Sequence, residues 1–428
     1  FTGSFDGAGY TVRGLNITTD IGTAGLFGVI SEAAISNLTV EGTVTNTFAA
    51  TNAETKIDGN YPGTGGICGV VLSGSSITDC INRAAVNGPG NSGGIAGVVY
   101  NYGERTVKVA GCENYGEVNS SLGNAGGLFG RVQTSSEAAP AVLVNGCINY
   151  ADVWLTAEDR NCVGGMAGYI RTEAGLVLIE NCENEGDITG SNSVSSSSNR
   201  PFAGGIAGRI EVTGGASAAV QIHRCLNIGK IDSTYLGGGI TAYMQRSATC
   251  TESATEVAEC RNNGNVTGLD YAGGIIGYTQ NACTADTHSG VFNCLNIGAV
   301  NSDTCAGGII GRQYGFDIKY SYASGNVKEA VNTGAVAGRQ DGTINCAIDA
   351  VYYLNTTANK AVGLDNAACE EQSVIAVSAA DALSVDNFAL LDMQDIWKMG
   401  AAGPVLKGVS EGHTHTMDEG MVTTVATC

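Results

Sequence analysis

Residues 93–118 read GGIAGVVYNYGERTVKVAGCENYGEV, and almost every other part of the chain is a variation on them. A Gly-Gly-apolar-Ala-Gly box is followed by a variable loop, an apolar stretch, a Cys-x-Asn and a Gly-x-Val. The box recurs at residues 24–28, 65–69, 93–97, 126–130, 164–168, 204–208, 238–242, 273–277, 307–311 and 334–338, ten units mostly 27 to 41 residues apart. A period of this length means a solenoid or a repeat array. The second half of the unit keeps step. Cys80, Cys112, Cys147, Cys182, Cys225, Cys260 and Cys294 each stand two residues before an Asn and six before a Val or Ile. The first unit has Leu38 and Val40 in place of Cys and Asn, and the ninth has Ser321 and Ala323. Because an apolar residue can replace either one, both positions are expected to face inward and not to bind a ligand.

The alternation of Ile95, Gly97 and Val99 with Ala96, Val98 and Tyr100 has period two, so the segment reads as a strand. No repeat sustains a helical period over ten residues. Equivalent short strands of successive units can stack at about 4.8 Å per layer. The fold expected is therefore all-β, a parallel β-helix of about ten coils and roughly 50 Å in length. Gly in the box permits close backbone approach at a corner, and stacked Asn side chains can hydrogen-bond from coil to coil.

The chain has 428 residues, 63 Gly, 5 Pro, 15 Cys and a formal charge of −20. That charge excludes the basic footprint of a nucleic-acid binder and disfavours an anionic membrane surface. No apolar run reaches transmembrane length. Phe1 opens inside a strand motif, as expected of a segment of a longer chain. The seven repeat cysteines read as buried thiols packed like small apolar residues. Cys250 and Cys283, in equivalent loops of adjacent units, are expected to form a disulfide, in keeping with an exported protein.

Three regions follow. Residues 1–338 are the coils. Residues 339–408 leave the repeat and are expected to cap it, with one or two short helices around 378–391 and Ser384 as an N-cap. A solenoid needs such cover against exposed apolar edges. Residues 409–428 differ in composition and read as a linker or the start of a downstream module. His413, His415 and Cys428 there lack the spacing of a metal site, and no metal or cofactor is expected anywhere in the chain.

The opening FTGSFDGAGYTVRGLNI, the AGLFG after it and the recurring GGIAG…NC.N.G.V resemble the GLUG-motif repeat region of large bacterial surface proteins. VYYLNTTANKAVG and GPVLKG resemble the closing segment of such regions, so the resemblance covers residues 1 to about 408. It implies a right-handed parallel β-helix, extracellular display and a multi-domain parent with adhesin-like or peptidase-associated roles. It does not imply a single activity.

The chemistry of an enzyme is mostly missing. There is no H-E-x-x-H and no G-x-S-x-G. Asp152, Glu183 and Asp187 lie near the Cys-x-Asn turns, but no acidic position repeats with a companion base, and solvated loop carboxylates are the simpler reading. The position after the box is more informative. From the fourth box it holds only Arg or Tyr: Arg131, Tyr169, Arg209, Tyr243, Tyr278, Arg312 and Arg339. Period two turns this residue outward, so the coils should stack guanidinium on phenol. Two roles fit this pattern: a binding face for host glycan or protein, and a cation–π ladder that covers one sheet. The function expected is a non-enzymatic extracellular display or adhesion module of a bacterial surface protein. The alternatives are a carbohydrate-active or carbohydrate-binding β-helix and an accessory docking region of a surface peptidase.

Overall fold

The computed structural model describes residues 1–49, 62–138, 140–156, 161–191, 200–250, 254–283, 289–342, 346–367, 370–371 and 373–410. The chain winds into stacked coils, most of which contribute to all four of its parallel sheets. Sheet 1 has 12 strands, from Ser4–Asp6 to Glu370–Glu371. Sheet 2 runs from Thr11–Thr19 to Val374–Val377; from the fourth to the ninth coil each coil gives it two short strands, as in Glu113–Asn114 and Val118–Ser120. Sheet 3 has 10 strands, from Thr23–Ala24 to Asn332–Gly334. Sheet 4 has 11, from Phe27–Ile30 to Val362–Ala367. The expected parallel β-helix is the fold observed.

Two columns divide the interior. Asn82, Asn114, Asn149, Asn184, Asn227, Asn262 and Asn296 are fully buried. Each Nδ2 from Asn82 to Asn262 donates to the Oδ1 of the next coil's Asn at 2.8 Å. Each of the seven also donates to the carbonyl two residues on, at 2.7–3.0 Å. Opposite this column stands the second Gly of the box. A Cβ built on Gly165 would meet Gly205 O at 2.1 Å and Asn184 Cγ at 2.4 Å, and Gly127 meets Asn149 in the same way. Box and Cys-x-Asn therefore recur together because the amide needs the space a side chain would fill. The wall separates a larger core of Ile, Val and stacked Cys from a smaller one of Val86, Val118, Val153, Ile188, Ile231, Val266 and Val300 with the box-side alanines.

The repeat cysteines are buried thiols, as expected. Burial pushes the Cys182, Cys225 and Cys260 thiols well above the usual range, which makes them inert packing groups. The residue before each repeat Cys, or before the residue in its place, turns the corner between sheets 1 and 2 in the left-handed region. Asn37, Asp79, Asn181, Arg224, Glu259, Asn293, Tyr320 and Ala350 have φ of 50–55°, with Gly111 and Gly146 at 61° and 62°.

The parallel strands continue past residue 338, through Ala347–Asp349, Val351–Leu354, Val362–Ala367 and Val374–Val377. The segment from Ser378 to Ser410 then leaves the coil. It holds two 3₁₀ turns, Asp381–Leu383 and Val385–Phe388, and an antiparallel pair, Trp397–Gly400 with Gly403–Leu406. Ser378 Oγ accepts from Asp381 N–H at 3.1 Å, while Ser384 makes no side-chain cap. This segment covers the flank of the solenoid. Phe388, Leu391, Trp397 and Leu406 pack on Leu226, Leu295, Tyr322 and Tyr352, which stand on the outer side of sheet 2. Those four residues fall within five successive coils, with Arg261 in register between Leu226 and Leu295, a span of roughly 19 Å at the usual strand spacing. Trp397 Nε1 donates to Asn293 Oδ1 at 3.3 Å, and Tyr352 Oη accepts from Leu390 N–H at 3.1 Å. Residues 411–428, with His413, His415 and Cys428, lie outside the described residues.

Candidate functional site

The strand that follows the box enters sheet 4 with its apolar residues inward and the next residue outward. Cα pairing runs Val98, Arg131, Tyr169, Arg209, Tyr243, Tyr278, Arg312, Arg339 without a slip. All seven sequence-selected residues therefore form one column. The Arg131 guanidinium sits 4.8 Å from the Tyr169 ring centroid. Arg209 lies between Tyr169 and Tyr243, at 5.4 and 5.5 Å. Tyr243 and Tyr278 stack at 5.1 Å and 20°, and Arg312 covers Tyr278 at 5.0 Å.

Two flanking rows, not singled out from the sequence, complete the arrangement. Two residues before the box, sheet 3 aligns Cys162, Phe202, Leu236, Tyr271 and Cys305. Phe202 stacks on Tyr243 at 5.5 Å, and Tyr271 meets Tyr278 edge-on at 5.6 Å. Two residues beyond the column, sheet 4 presents polar groups. Gln133 Oε1 accepts from Arg131, Glu211 accepts from the Tyr169 hydroxyl, and Gln280 Oε1 accepts from Tyr243 at 2.6 Å. Asp341 takes Arg312 and Arg339, each at 2.7 Å. A count of two before each box and of two after each column residue would have found both rows.

Outward does not mean accessible here. Arg131 is 0% exposed, Tyr169 5% and Tyr243 8%. The side chains of Arg312 and Arg339 keep 24% and 31%. The first part of the column is thus a mostly buried cation–π stack in which Arg209 keeps 22% of its side chain exposed, and the Tyr278–Arg312–Arg339 stretch is where successive residues all open toward solvent. Burial raises the Tyr169, Tyr243 and Tyr278 hydroxyls above the usual phenol range, so all three stay neutral donors. Burial also works against the Asp341 carboxylate, but the Arg339 and Arg312 guanidiniums outweigh it and hold the group below its ordinary value. Because the rings stack along the axis, neighbours occupy their faces; edges, hydroxyls and guanidinium N–H groups point outward.

The other candidates resolve into structural roles. Asp152 Oδ1 accepts from Asp187 N–H at 2.9 Å, and Asp187 Oδ1 accepts from Lys230 N–H at 2.8 Å. Each carboxylate caps the next coil's turn. Asp6 likewise caps its own turn through Ala8 N–H and also bonds Asn37. Cys250 and Cys283 do meet across adjacent coils, but as thiols and not as the expected disulfide. Cys283 Sγ donates to the Cys250 backbone carbonyl, and Cys250 Sγ to Val212 O at 3.3 Å. Cys346 is the described cysteine that is disulfide-bonded. No group of three or more His, Cys, Asp or Glu residues suited to a metal occurs among the described residues. No helix among them is long and apolar enough to cross a membrane.

No curated protein and no solved structure matches the chain. The model of the GLUG motif matches residues 302–328, one unit from the box at 307 through the Tyr322–Ala323 strand and the Val327 bridge of sheet 2. The chain thus carries a GLUG motif within a parallel β-helix, consistent with a GLUG-motif region.

Proposed function

We propose that this chain is a non-enzymatic display and adhesion module of a bacterial extracellular protein, whose contact face is the open stretch of the outer column. The observation that carries this reading is the in-register column itself. It ends in Tyr278, Arg312 and Arg339, with the Arg pair sharing the single carboxylate of Asp341. Two guanidiniums against one carboxylate leave net positive charge on a chain of formal charge −20. Arg and Tyr are the residues that anchor recognition interfaces. The ligand meets ring edges and N–H groups, which suits acidic groups on a host glycan or protein. Support for an exported setting comes from the GLUG motif, typical of extracellular proteins, and from the disulfide at Cys346. The capping roles of Asp152 and Asp187 weigh against a hydrolytic carboxylate pair.

A glycan-array and mucin pull-down with the full chain tests the reading, with retention and release of reducing ends both measured. Retention without release is expected. Arg312→Gln with Arg339→Gln should cut retention at least tenfold while stability falls only by the roughly 1 kcal/mol of the lost Asp341 ion pairs. Released sugar would overturn the non-enzymatic assignment. Unchanged retention in the double variant would remove the column from the binding role.

A further inference from the structure

A second outward row lies on the opposite side of the molecule's sequence pattern, after the Gly-x-Val of each unit. Thr45, Asn87, Asn119 and Trp154 pair in register through four successive coils of sheet 2. Where this row meets the following corner lies a shallow, open cavity of about 290 Å³. Asn87 and Asn119 line it together with Asn46, Thr47, Phe48 and Ser121. The volume is at the small end for ligand sites, the size class of one ring and not of an extended ligand.

The lining selects by chemistry. No lining residue is ionisable, so an anion or cation entering here would find no counter-charge and lose hydration. An apolar ligand would strand the amides. A polyol satisfies both conditions, because carboxamides and hydroxyls offer donors and acceptors in both senses. Asn46 Oδ1 is occupied by Phe48 N–H at 2.9 Å and Thr47 Oγ1 donates to Thr19 O at 3.1 Å, which fixes that wall. Asn119 Oδ1 is buried with no hydrogen-bond partner, so its amide is held for something other than the fold. Phe48 is half-buried and supplies an apolar surface.

Trp154 stands one coil beyond Asn119 and is half-buried. The other Trp, Trp397, is fully buried in the flank segment. The rings of the Arg/Tyr column have their faces covered by neighbours, whereas Trp154 is in no ring pair or cation–π contact among the described residues. Its half-exposed indole, flanked along the axis by Asn119 and Thr189, offers its accessible part to the C–H face of a sugar, an amphipathic surface that an aromatic ring suits.

We infer that the cavity and Trp154 form a subsite for a neutral oligosaccharide. One sugar ring seats among the Asn87, Asn119 and Ser121 side chains. The adjoining ring lies across the Trp154 indole one coil along, a step of about 4.8 Å. The site is separate from the Arg/Tyr column and does not depend on it.

The test is binding of the full chain to maltotriose, chitotriose and N-acetyllactosamine by calorimetry or ligand-observed NMR. At least one is expected to bind. Trp154→Ala and Asn87→Ala/Asn119→Ala should each weaken it tenfold or more, whereas Trp154→Phe should stay within about threefold, at unchanged unfolding midpoints. Absence of binding to all three at millimolar concentration, or binding unaffected by these substitutions, would overturn the subsite. Arg312→Gln/Arg339→Gln is run alongside. Loss of neutral-sugar binding in that variant alone moves recognition to the column and overturns the subsite. Loss in the Trp154 and Asn variants alone supports the subsite even if mucin retention fails.

Discussion

At the scale of single residues, the buried Asn column is the most exacting element. Asn184 accepts from Asn149 and donates to Asn227 and Gly186. Asn184→Ala strands the Asn149 amide and the Asn227 carbonyl oxygen, at about 1–3 kcal/mol for each group left unmet. A fall of roughly 2–6 kcal/mol in unfolding free energy is expected by denaturant titration. Asn184→Asp keeps the shape but places an acceptor against Asn227 Oδ1. Burial would raise that carboxyl's folded pKa above its unfolded value, so stability is retained below the unfolded value and lost as pH rises through the folded one. The Asp variant should therefore lose more relative to the parent at pH 7 than at pH 4; an equal loss at both would contradict a buried amide column. The left-handed corner offers a test of opposite sign. Glu259 has φ 53°, a conformation that costs a non-Gly residue roughly 1–2 kcal/mol, against about 0.5–1 kcal/mol of extra chain entropy for Gly. Glu259→Gly should stabilise by on the order of 0.5–1 kcal/mol, read as a raised unfolding midpoint.

At the scale of elements, the outer column shows how far spacing carries and where it stops. The box holds each Arg or Tyr at a constant distance from the same corner, so a count of residues was enough to align all seven. Period two gave their side of the sheet. It could not give their burial, because that depends on what lies against them: the row of Phe202, Leu236 and Tyr271, contributed by the neighbouring sheet. The Cys250–Cys283 expectation failed for a related reason. Adjacent loops brought the two residues together, but the thiols turned to backbone carbonyls. The buried and open parts of the column should respond differently to mutation. Tyr243→Ala removes a ring packed between Phe202 and Tyr278 and should cost on the order of 3 kcal/mol by thermal or chemical unfolding. At the open part, Asp341 has a folded pKa below its ordinary value. Its contribution is fully present above the unfolded carboxylate pKa and is lost as pH falls through the lower folded value. Asp341→Asn should lower the midpoint at pH 7, by about 1 kcal/mol for so partly exposed a cluster. The difference from the parent should shrink as pH drops below the usual carboxylate range; a difference independent of pH would show that the two ion pairs contribute nothing.

At the scale of the molecule, coil stacking makes stability local, since each unit contacts mainly its neighbours. The segment from Ser378 to Ser410 departs from that rule. It ties five coils together through one apolar cluster on their outer flank, with the fully buried Trp397 at its centre. The sequence pointed to a cover and to short helical turns, because Ala, Leu and Phe there follow no strand period. It could not point to the flank, since the matching surface is built from Leu226, Leu295, Tyr322 and Tyr352, which meet only after coiling. Tyr322 shows the strength of that burial, which pushes its hydroxyl up to about 12. Trp397→Ala should remove about 3–5 kcal/mol from the docking of this segment while leaving the distant coils intact. Hydrogen exchange read by mass spectrometry separates the two effects. Protection should fall in residues 378–410 and in the strands from Leu226 to Leu354, and stay at the parent level in the coils between residues 62 and 156. If protection fell equally from end to end, the flank segment would be holding the whole solenoid in one cooperative unit, and the coil-by-coil account of its stability would have to be abandoned.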